Sequence, residues 1–319
     1  MKKISLIIPH YKEDSKTIWN LLNSIDIQHG ISFNDIEVII VDDCGGVDIS
    51  EAIIKLKHYV PTVIKNEENI GLGRTRNVGF DNSIGEYVMF CDADDMFFSP
   101  ISLKMYMDYI NTDSADIVTS LWYEELNNPN FRNNLVLHTE NNTWVHAKLF
   151  RRQYLVDKNI RHHELFRVHE DAYFVGLAWD LANKIHRIPD ITYLWKWNDN
   201  SLVRTDNSSF DYKTFGIFVE AFSEAFKQIE KFHPEKCTYK AVHFFCSGYF
   251  ILHRSSFLSE DGMFHLSEVY DHFRKAYQTF GSYYDNAPKA MIADTLLNAG
   301  KDHKGPTLLP FESFMNRIM

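Results

Sequence analysis

A run of three acids follows an apolar segment of the chain. Asp92, Asp94 and Asp95 come directly after Tyr87 to Cys91, a run with the length and composition of a buried strand. Carboxylates this close together do not all stay charged without a cation, and hard oxygen ligands of this kind suit Mn²⁺ or Mg²⁺. A divalent ion held here would bridge the protein to a diphosphate. The alternative is a solvated turn or a cap on the following helix, a role that Asp fills well.

Two further predicted strands end in polar residues. Ile4 to Ile8 leads into Pro9-His10-Tyr11-Lys12-Glu13, and Ile36 to Val41 leads into Asp42 and Asp43. In open α/β sheets, ligands bind at the carboxyl ends of the strands. The three strand ends would therefore bring acids and polar groups to one edge of the sheet. This favours a ligand-binding site, and not an isolated turn, for the acids at 92–95.

A glycine-rich segment with two arginines lies between the second and third of these strand ends. It reads Asn69-Ile-Gly71-Leu-Gly73-Arg74-Thr-Arg76-Asn77-Val-Gly79. Its glycines permit a tight loop and close backbone approach, and its arginines are suited to phosphate or a base edge. It is neither a dinucleotide fingerprint, since the Gly-x-Gly-x-x-Gly order fails, nor a Walker A loop. An ordinary helix start with surface arginines is the open alternative.

The elements that must position these residues alternate between strands and helices over residues 1–120. Apolar runs predict strands at 4–8, 36–41, 60–65, 87–91 and 116–120, and helical spacing predicts helices at 14–28, 49–57, 72–82 and 99–110. This alternation indicates βαβ units and a mostly parallel sheet covered on both faces.

The rest of the chain is less regular and then becomes helical. Residues 127–142 predict a loop or hairpin, 170–183 a helix, and 185–195 a pair of short strands around Pro189 and Asp190. Helical spacing predicts further helices at 212–232, 240–255, 266–280 and 288–297. We expect a helical appendix without strands there.

The order of these motifs resembles the family 2 glycosyltransferases of GT-A fold. The residues that carry the resemblance are Pro9-x-Tyr11-x-Glu13, Val41-Asp42-Asp43, Asn69-x-Gly71-x-x-x-x-Arg76-Asn77-x-Gly79 and Asp92-Ala93-Asp94-Asp95. It continues through Trp144 to Arg152, His169 to Phe174 and Tyr193 to Ser201. The resemblance implies an α/β fold: a Rossmann-like, nucleotide-sugar-binding mixed sheet flanked by helices, with a helical C-terminal region.

The resemblance also implies a donor site. It would be formed by Pro9, Tyr11, Glu13, Asp42, Asp43, Asn69, Gly71, Arg76, Asp92 and Ala93. Within it, Tyr11 would stack near the base and Asp92 would reach the ribose or the sugar. Asp42 or Asp43 would hydrogen-bond the uracil edge, and Arg76 would help to fix that ring.

Two further roles follow from the resemblance. Asp94 would hold Mn²⁺ or Mg²⁺, and Asp171 would be the catalytic base. The acceptor side would be lined by Trp144, Lys148 and Glu170. From the residues alone, Glu170-Asp171 also fits an acidic pair at a helix N-terminus, which the helix dipole favours. The sequence departs from the family at Trp197-Asn198, where a further metal-binding His is sometimes found.

The implied reaction moves a hexose from a uridine diphosphate to a hydroxyl of a glycan, lipid-linked or cell-surface polymer. An acceptor hydroxyl is a poor nucleophile at neutral pH, so a carboxylate must take its proton during attack. One displacement with one base inverts the anomeric centre. Two alternatives are open: a nucleotidylyltransferase, which would want its Gly/Arg loop directly after the first strand, and a non-catalytic nucleotide-sugar-binding protein, which the intact Asp94 and Asp171 oppose.

Composition sets the remaining expectations. The chain has 319 residues, 45% of them hydrophobic, and a formal net charge of −10, which argues against a nucleic-acid acceptor. No apolar run approaches the roughly twenty residues that span a bilayer, so we expect a cytoplasmic protein, at most peripheral at the inner membrane face. We predict a catalytic domain at 1–205, with a nucleotide-binding part at 1–120 and an acceptor-side part at 121–205. The helical region at 206–319 would shape the acceptor side, cap the catalytic domain or mediate self-association.

Overall fold

The computed structural model describes residues 2–127, 134–139, 142–166, 170–199, 210–253, 265–301, 303, 307 and 309–319, with only the backbone at 210–214. Its contacts divide the chain into two compact units, Met1–Asn198 and Asp199–Met319. Every candidate donor, metal, base and acceptor-side residue lies in the first unit. His169 and Ser201, which belong to the segments that resemble the family, lie outside the described residues.

The first unit contains a sheet and six α-helices in its described residues. The strands are β1 (Ile4–His10), β2 (Ile36–Asp42), β3 (Thr62–Lys65), β4 (Tyr87–Phe90), β5 (Met96–Phe97), β6 (Ile117–Leu126), β7 (Asn134–His138), β8 (Lys148–Arg151) and β9 (Ile185–Trp195). The helices are α1 (Ser15–Asp26), α2 (Ser50–Ile54), α3 (Leu72–Asp81), α4 (Ser102–Ile110), α5 (Arg152–Asp157) and α6 (Glu170–Leu181).

The strands form one mixed sheet in the order β3-β2-β1-β4-β8-β6-β9-β5, with β7 paired to β6. The first four strands in that order run parallel, and β8 is antiparallel to both its neighbours. His10 lies opposite Asp42, and Ile7 lies opposite Phe90, so β1, β2 and β4 end at the same edge. The predicted fold class, a mixed sheet flanked by helices, is confirmed.

The central strand β1 shows why the apolar runs predicted strands. All seven of its residues are buried, because the neighbouring elements cover both faces of the sheet at this point. Helix α1 follows after Asp14, whose carboxylate accepts the Thr17 N–H at 2.7 Å and caps the first turn. Its buried face carries Ile18 and Leu21, at the spacing expected of an amphipathic helix.

Strand β9 differs from the prediction of two short strands. It is one strand, and its pairing with β6 shifts register, since Ser120 pairs with Ile188 while Leu121 pairs with Ile191. Pro189 and Asp190 are the residues left over in this bulge. Proline has no N–H to give to a sheet, so a bulge accommodates it without ending the strand.

The second unit is helical throughout its described residues, as predicted. Its helices are α7 (Phe210–Phe232), α8 (Cys237–Ile251), α9 (Leu266–Asp285), α10 (Lys289–Gly300) and α11 (Phe311–Ile318). Aromatic side chains fill its core: the rings of Phe226 and Phe280 stack with centroids 4.5 Å apart, and Phe244 meets Phe280 edge to face. In the described part of the chain, no helix is both long enough and apolar enough to cross a membrane.

Helix α3 lies unusually close to the sheet. A Cβ atom built on Gly79 would lie 2.3 Å from Ile7 Cγ2, closer than real Cβ atoms approach, and 3.3 Å from Val41 Cγ2, which is a tight contact. Any larger residue at this position must push the helix away from β1 and β2. Gly79 therefore sets the height of α3 above the edge where the strands end.

We predict that Gly79→Ala destabilises the protein by about 1–3 kcal/mol, because the added methyl group overpacks the helix–sheet contact. Gly176→Ala is the matched control. Gly176 also lies within a helix, but its added Cβ would meet only Asn142 O at 3.9 Å. Since Ala favours helix interiors by about 1 kcal/mol, the control variant should be at least as stable as the wild type. Urea denaturation of both variants and of the wild type measures these differences. If Gly79→Ala were as stable as the wild type, the packing argument would be refuted.

Candidate active site

The loops after β1 and β2 are pressed together at the carboxyl edge of the sheet. A Cβ on Gly45 would lie 1.0 Å from the Tyr11 carbonyl oxygen, so only glycine fits there. The Gly45 N–H donates to Asp42 Oδ1 at 3.0 Å, and His10 Nδ1 lies 3.6 Å from the same oxygen. Pro9 is buried, whereas the Tyr11 ring is 38% exposed at the rim.

Glu13 connects the loop after β1 with the acids after β4. Its Oε2 accepts the Tyr11 N–H at 2.9 Å. The pKa of Asp94 is raised by burial first, then by the neighbouring charge of Asp92, with Glu13 adding a smaller contribution. Glu13 thus lies close enough to Asp94, the predicted metal ligand, for its charge to act on that carboxyl group.

Asp43 anchors the glycine-rich segment. Its Oδ1 accepts from Asn66 Nδ2 and from the Ile70 N–H, and its Oδ2 accepts the Gly71 N–H, each at 2.9 Å. Gly71 has φ +90° at the start of α3, a conformation that L side chains rarely adopt. Both oxygens of Asp43 are therefore engaged by this segment, on which Asn69 is exposed.

Arg76 lies at the centre of an acidic cluster. Its side chain is 1% exposed. One nitrogen, Nη2, donates to Asp92 Oδ1 at 2.7 Å, and the other, Nη1, pairs with Asp171 Oδ1 and lies 3.4 Å from Glu170 Oε1. Burial alone would lower the pKa of Arg76, but the three carboxylates outweigh it and raise the pKa. The predicted role of Arg76 beside the uracil ring stays a prediction.

Two neighbours of Arg76 on α3 hold the segment that leads to α6. Asn77 Nδ2 donates to His162 O at 2.8 Å, and Asn77 Oδ1 accepts the His162 N–H at 3.1 Å. A Cβ on Gly73 would lie 3.1 Å from His163 O, so this contact is tight. Asn77 belongs to the glycine-rich segment, but the sequence did not indicate that it would hydrogen-bond the backbone of His162.

The acids after β4 occupy three different environments. Burial would raise the pKa of Asp92, but the Arg76 guanidinium outweighs it and the pKa is lowered. Asp94 Oδ2 accepts from Asn198 Nδ2 at 2.7 Å. Asp95 is fully buried and accepts the Lys196 N–H at 3.0 Å; its pKa is raised well above the usual value by burial and then by Asp94 and Asp92.

A second group of possible metal ligands lies behind this rim. Asp92, Asp95 and His146 offer ligand atoms that all lie within 4.8 Å of one another. His146 Nδ1 is 3.7 Å from Asp95 Oδ2, and among the described residues neither that oxygen nor either ring nitrogen of His146 has a hydrogen-bond partner. Burial lowers the pKa of His146 to about 3, so its ring is neutral. Sequence reasoning missed His146, since a lone His beside a tryptophan carries no signal by itself.

The predicted base and acceptor-side residues meet where α6 begins. Burial, and next the charge of Asp171, raise the pKa of Glu170 to about 7. Burial also raises the pKa of Asp171, to about 6, although Arg76 opposes it. Lys148 Nζ donates to Trp144 O at 2.8 Å and to His146 O at 3.2 Å, and burial lowers its pKa to about 7.

The first unit has the architecture of the nucleotide-binding α/β enzymes, with acids at the carboxyl ends of parallel strands. The model of the family described as glycosyl transferase family 2 matches residues 5–174. The chain belongs to this family, as the resemblance in its motifs predicted.

Two curated relatives illustrate the similarity. The chain is 27% identical over 210 residues to the poly(ribitol-phosphate) beta-N-acetylglucosaminyltransferase TarS of Staphylococcus aureus, covering 61% of this chain and 35% of that protein. It is 38% identical over 95 residues to an uncharacterized glycosyltransferase of Haemophilus influenzae, covering 30% of each. The chain thus spans about a third of the length of these relatives.

Solved structures share the fold. TarS 1-349 of S. aureus in complex with UDP-GlcNAc has a TM-score of 0.64 at 20% identity, over 95% of this chain and 91% of that one. The mannosyltransferase PcManGT of Pyrobaculum calidifontis, in complex with GDP-Man and Mn²⁺, has a TM-score of 0.51 at 12% identity, over 99% and 84%.

The raised pKa of Glu170 predicts how the stability of the folded protein depends on pH. A carboxyl whose pKa is higher in the folded chain loses stabilising free energy as the pH rises from its unfolded value of 4.5 to its folded value of about 7. Glu170→Gln should lose less stability than the wild type between pH 5 and pH 8, by on the order of 2 kcal/mol. Urea denaturation at both pH values measures this. Glu164→Gln, at an exposed position nearby, is the control and should lose as much stability as the wild type. If both variants lost the same stability between pH 5 and pH 8, Glu170 would not be the group that titrates.

Proposed function

We propose that this glycosyltransferase moves a sugar from a uridine diphosphate donor to a hydroxyl of a glycan or polymer, with inversion and with the help of a divalent cation. The observation that carries the proposal is the acid cluster, because Arg76 brings the base candidate Asp171 next to the strand-end acid Asp92. The structures of TarS 1-349 in complex with UDP and with UDP-GlcNAc support a uridine donor for this chain.

We assign the nucleotide to the rim formed by the loops after β1 and β2. Tyr11 offers an exposed ring for stacking on a base, and Pro9 and Glu13 shape the loop that presents it. Asp42 is the better candidate for the uracil edge, since among the described residues no group donates a hydrogen bond to its Oδ2, whereas both oxygens of Asp43 accept hydrogen bonds from Asn66, Ile70 and Gly71. Asn69, Gly71 and Ala93 would complete the donor side.

Asp94 fits a divalent cation. It is a carboxylate at the rim, and its pKa is raised by burial and by Asp92, so a nearby cation would relieve the repulsion between acids. Among described residues, no Lys or Arg forms an ion pair with Asp94. When bound, Mn²⁺ or Mg²⁺ would neutralise charge that develops on the leaving diphosphate.

Asp171 has the properties of a general base. With a pKa of about 6 it is largely ionised at neutral pH, yet it is more basic than an exposed aspartate. A base with a pKa near the working pH combines the correct protonation state with driving force for proton transfer. Asp171 would take the proton of the acceptor hydroxyl while that oxygen attacks the anomeric carbon, and a single displacement of this kind inverts the centre.

The acceptor would approach past Trp144, Lys148 and Glu170. Lys148 ties the carbonyls of Trp144 and His146 together, and this holds the backbone beside Asp171 in one conformation. The activity of TarS on poly(ribitol-phosphate), stated in its name, supports a polymer acceptor for this chain. We assign donor binding to 1–120, acceptor binding to 121–205, and self-association to the helices of 206–319.

A nucleotide-sugar screen tests the function as a whole. We expect UDP-sugars to raise the melting temperature of the protein in the presence of Mn²⁺ more than GDP- or CDP-sugars do. The donor identified in this way is then incubated with candidate glycan and polymer acceptors, and released UDP is measured. Binding of a UDP-sugar without release of UDP from any acceptor would favour a non-catalytic role.

We predict that Asp171→Asn lowers kcat by about 10²–10⁴-fold while donor affinity stays near the wild-type value, because the amide cannot accept the acceptor's proton. UDP release and calorimetric donor binding measure the two effects. Asp180→Asn, near the other end of α6, is the matched control and should retain turnover. Retained turnover in Asp171→Asn would assign the base elsewhere.

We predict that Asp94→Ala abolishes the Mn²⁺-dependent part of UDP binding, whereas His146→Phe, which keeps a ring in the same aromatic surroundings, preserves it. Calorimetric titration of UDP with and without Mn²⁺ measures this for both variants. The opposite pattern, loss in His146→Phe alone, would place the cation in the buried group of Asp92, Asp95 and His146.

A further inference from the structure

Arg76 is the residue at which acids from two separate elements meet. Asp92 follows β4 and belongs to the donor side, whereas Glu170 and Asp171 begin α6 on the acceptor side. The guanidinium contacts all three from a fixed position on α3. Its planar fork suits this task, because it directs separate N–H groups at separate carboxylates.

The charged groups around Asp171 come from four elements. Arg76 reaches it from α3, Asp92 from the end of β4, and Glu170 from its own helix; Lys148 on β8 also lies within its electrostatic reach. Lys148 directs its ammonium group at the carbonyls of Trp144 and His146. In the described part of the chain, Arg76 is the cation that directly contacts the Asp171 carboxylate.

We propose that Arg76 is a positioning residue for the reaction: it pairs with Asp92 and Asp171 at once and thereby holds the base ionised and at a fixed place relative to the donor. The inference rests on the proposed function, in which Asp171 is the base. It differs from the role in uracil binding that the motif implied, and that role stays a prediction, which the donor-affinity measurement below tests.

The proposal has a signature that a purely structural arginine lacks. Because the cation favours the charged form of Asp171, removing it raises the pKa of Asp171, by about 1–3 units for a charge at contact distance. Catalysis needs the ionised base, so the acidic limb of the kcat profile moves to higher pH. Removing the competing charge of Glu170 acts in the opposite direction and moves the limb to lower pH.

The experiment compares Arg76→Met, Arg76→Lys and Glu170→Gln in kcat against pH, and measures donor affinity by calorimetry. We expect Arg76→Met to lower kcat at neutral pH by about 100-fold, the effect of a misplaced catalytic group, with donor affinity near wild type. Arg76→Lys should recover part of the pH shift but little of kcat, since one ammonium does not bridge two carboxylates. Arg161→Met is the matched control, because Arg161 pairs with Asp81 outside the cluster.

A second measurement does not depend on turnover. Titration of ¹³C-carboxyl-labelled protein by NMR gives the pKa of Asp171 directly, with its signal assigned by its loss in Asp171→Asn. The pKa should rise in Arg76→Lys and fall in Glu170→Gln. Glu170→Gln keeps the size of the side chain, so it provides a readout even where Arg76→Met fails to fold.

Two outcomes would overturn the proposal. One is an unchanged Asp171 pKa in both Arg76→Lys and Glu170→Gln. The other is a large loss of donor affinity in Arg76→Met with an unmoved pH profile, which would return Arg76 to the nucleotide. Failure of the proposed function looks different: the wild type would release no UDP with any donor and acceptor, while the NMR titration would still report whether Arg76 controls Asp171.

Discussion

The organisation of the site depends on one buried cation among three carboxylates. Arg76 is nearly inaccessible to solvent, and the acids around it carry more negative charge than it neutralises. Removing one partner from a buried ion pair costs about 3–5 kcal/mol, because the remaining charge is left uncompensated. The end of β4, helix α3 and the start of α6 are therefore held in a single arrangement, since displacing one element would leave the Arg76 guanidinium, which is 1% exposed, without one of its carboxylates.

Close backbone packing brings this cation to the sheet edge. Gly79 lets α3 lie against Ile7, and Asp43 fixes the backbone at the start of the helix through the Gly71 N–H. Asn77, one residue beyond Arg76, hydrogen-bonds both the N–H and the C=O of His162 and so ties the chain before α6 to the same helix. The geometry of the site thus depends on α3, because Gly79 and Asn77 set its distance from the sheet and from the segment before α6.

Much of this architecture follows from local sequence, but the partners within it do not. The apolar run of β1 and the acids after β4 predicted strands and a rim, because period and burial are local properties. The single strand β9 was missed, since Pro189 looks like a strand break until its bulge is seen. The partners of Arg76 and His146 could not be predicted either. Arg76 contacts Asp171 and His146 lies near Asp95, and both acids are far away in the sequence. No local pattern identifies which carboxylate a buried arginine or histidine will meet.

The pKa of Asp171 is set by two opposed effects: burial raises it and the charge of Arg76 lowers it. Burial disfavours its charged form, and without a cation the carboxyl would hold its proton at neutral pH and could not act as a base. A cation that lowered the pKa of Asp171 too far would also prevent catalysis, because a strongly stabilised carboxylate is a weak base. The negative charges of Asp92 and Glu170 offset part of the effect of Arg76, so Asp171 is ionised near neutrality yet stays more basic than in water. The surplus of acids around one arginine is, on this argument, what gives a buried carboxylate the proton affinity that transfer to an alcohol requires.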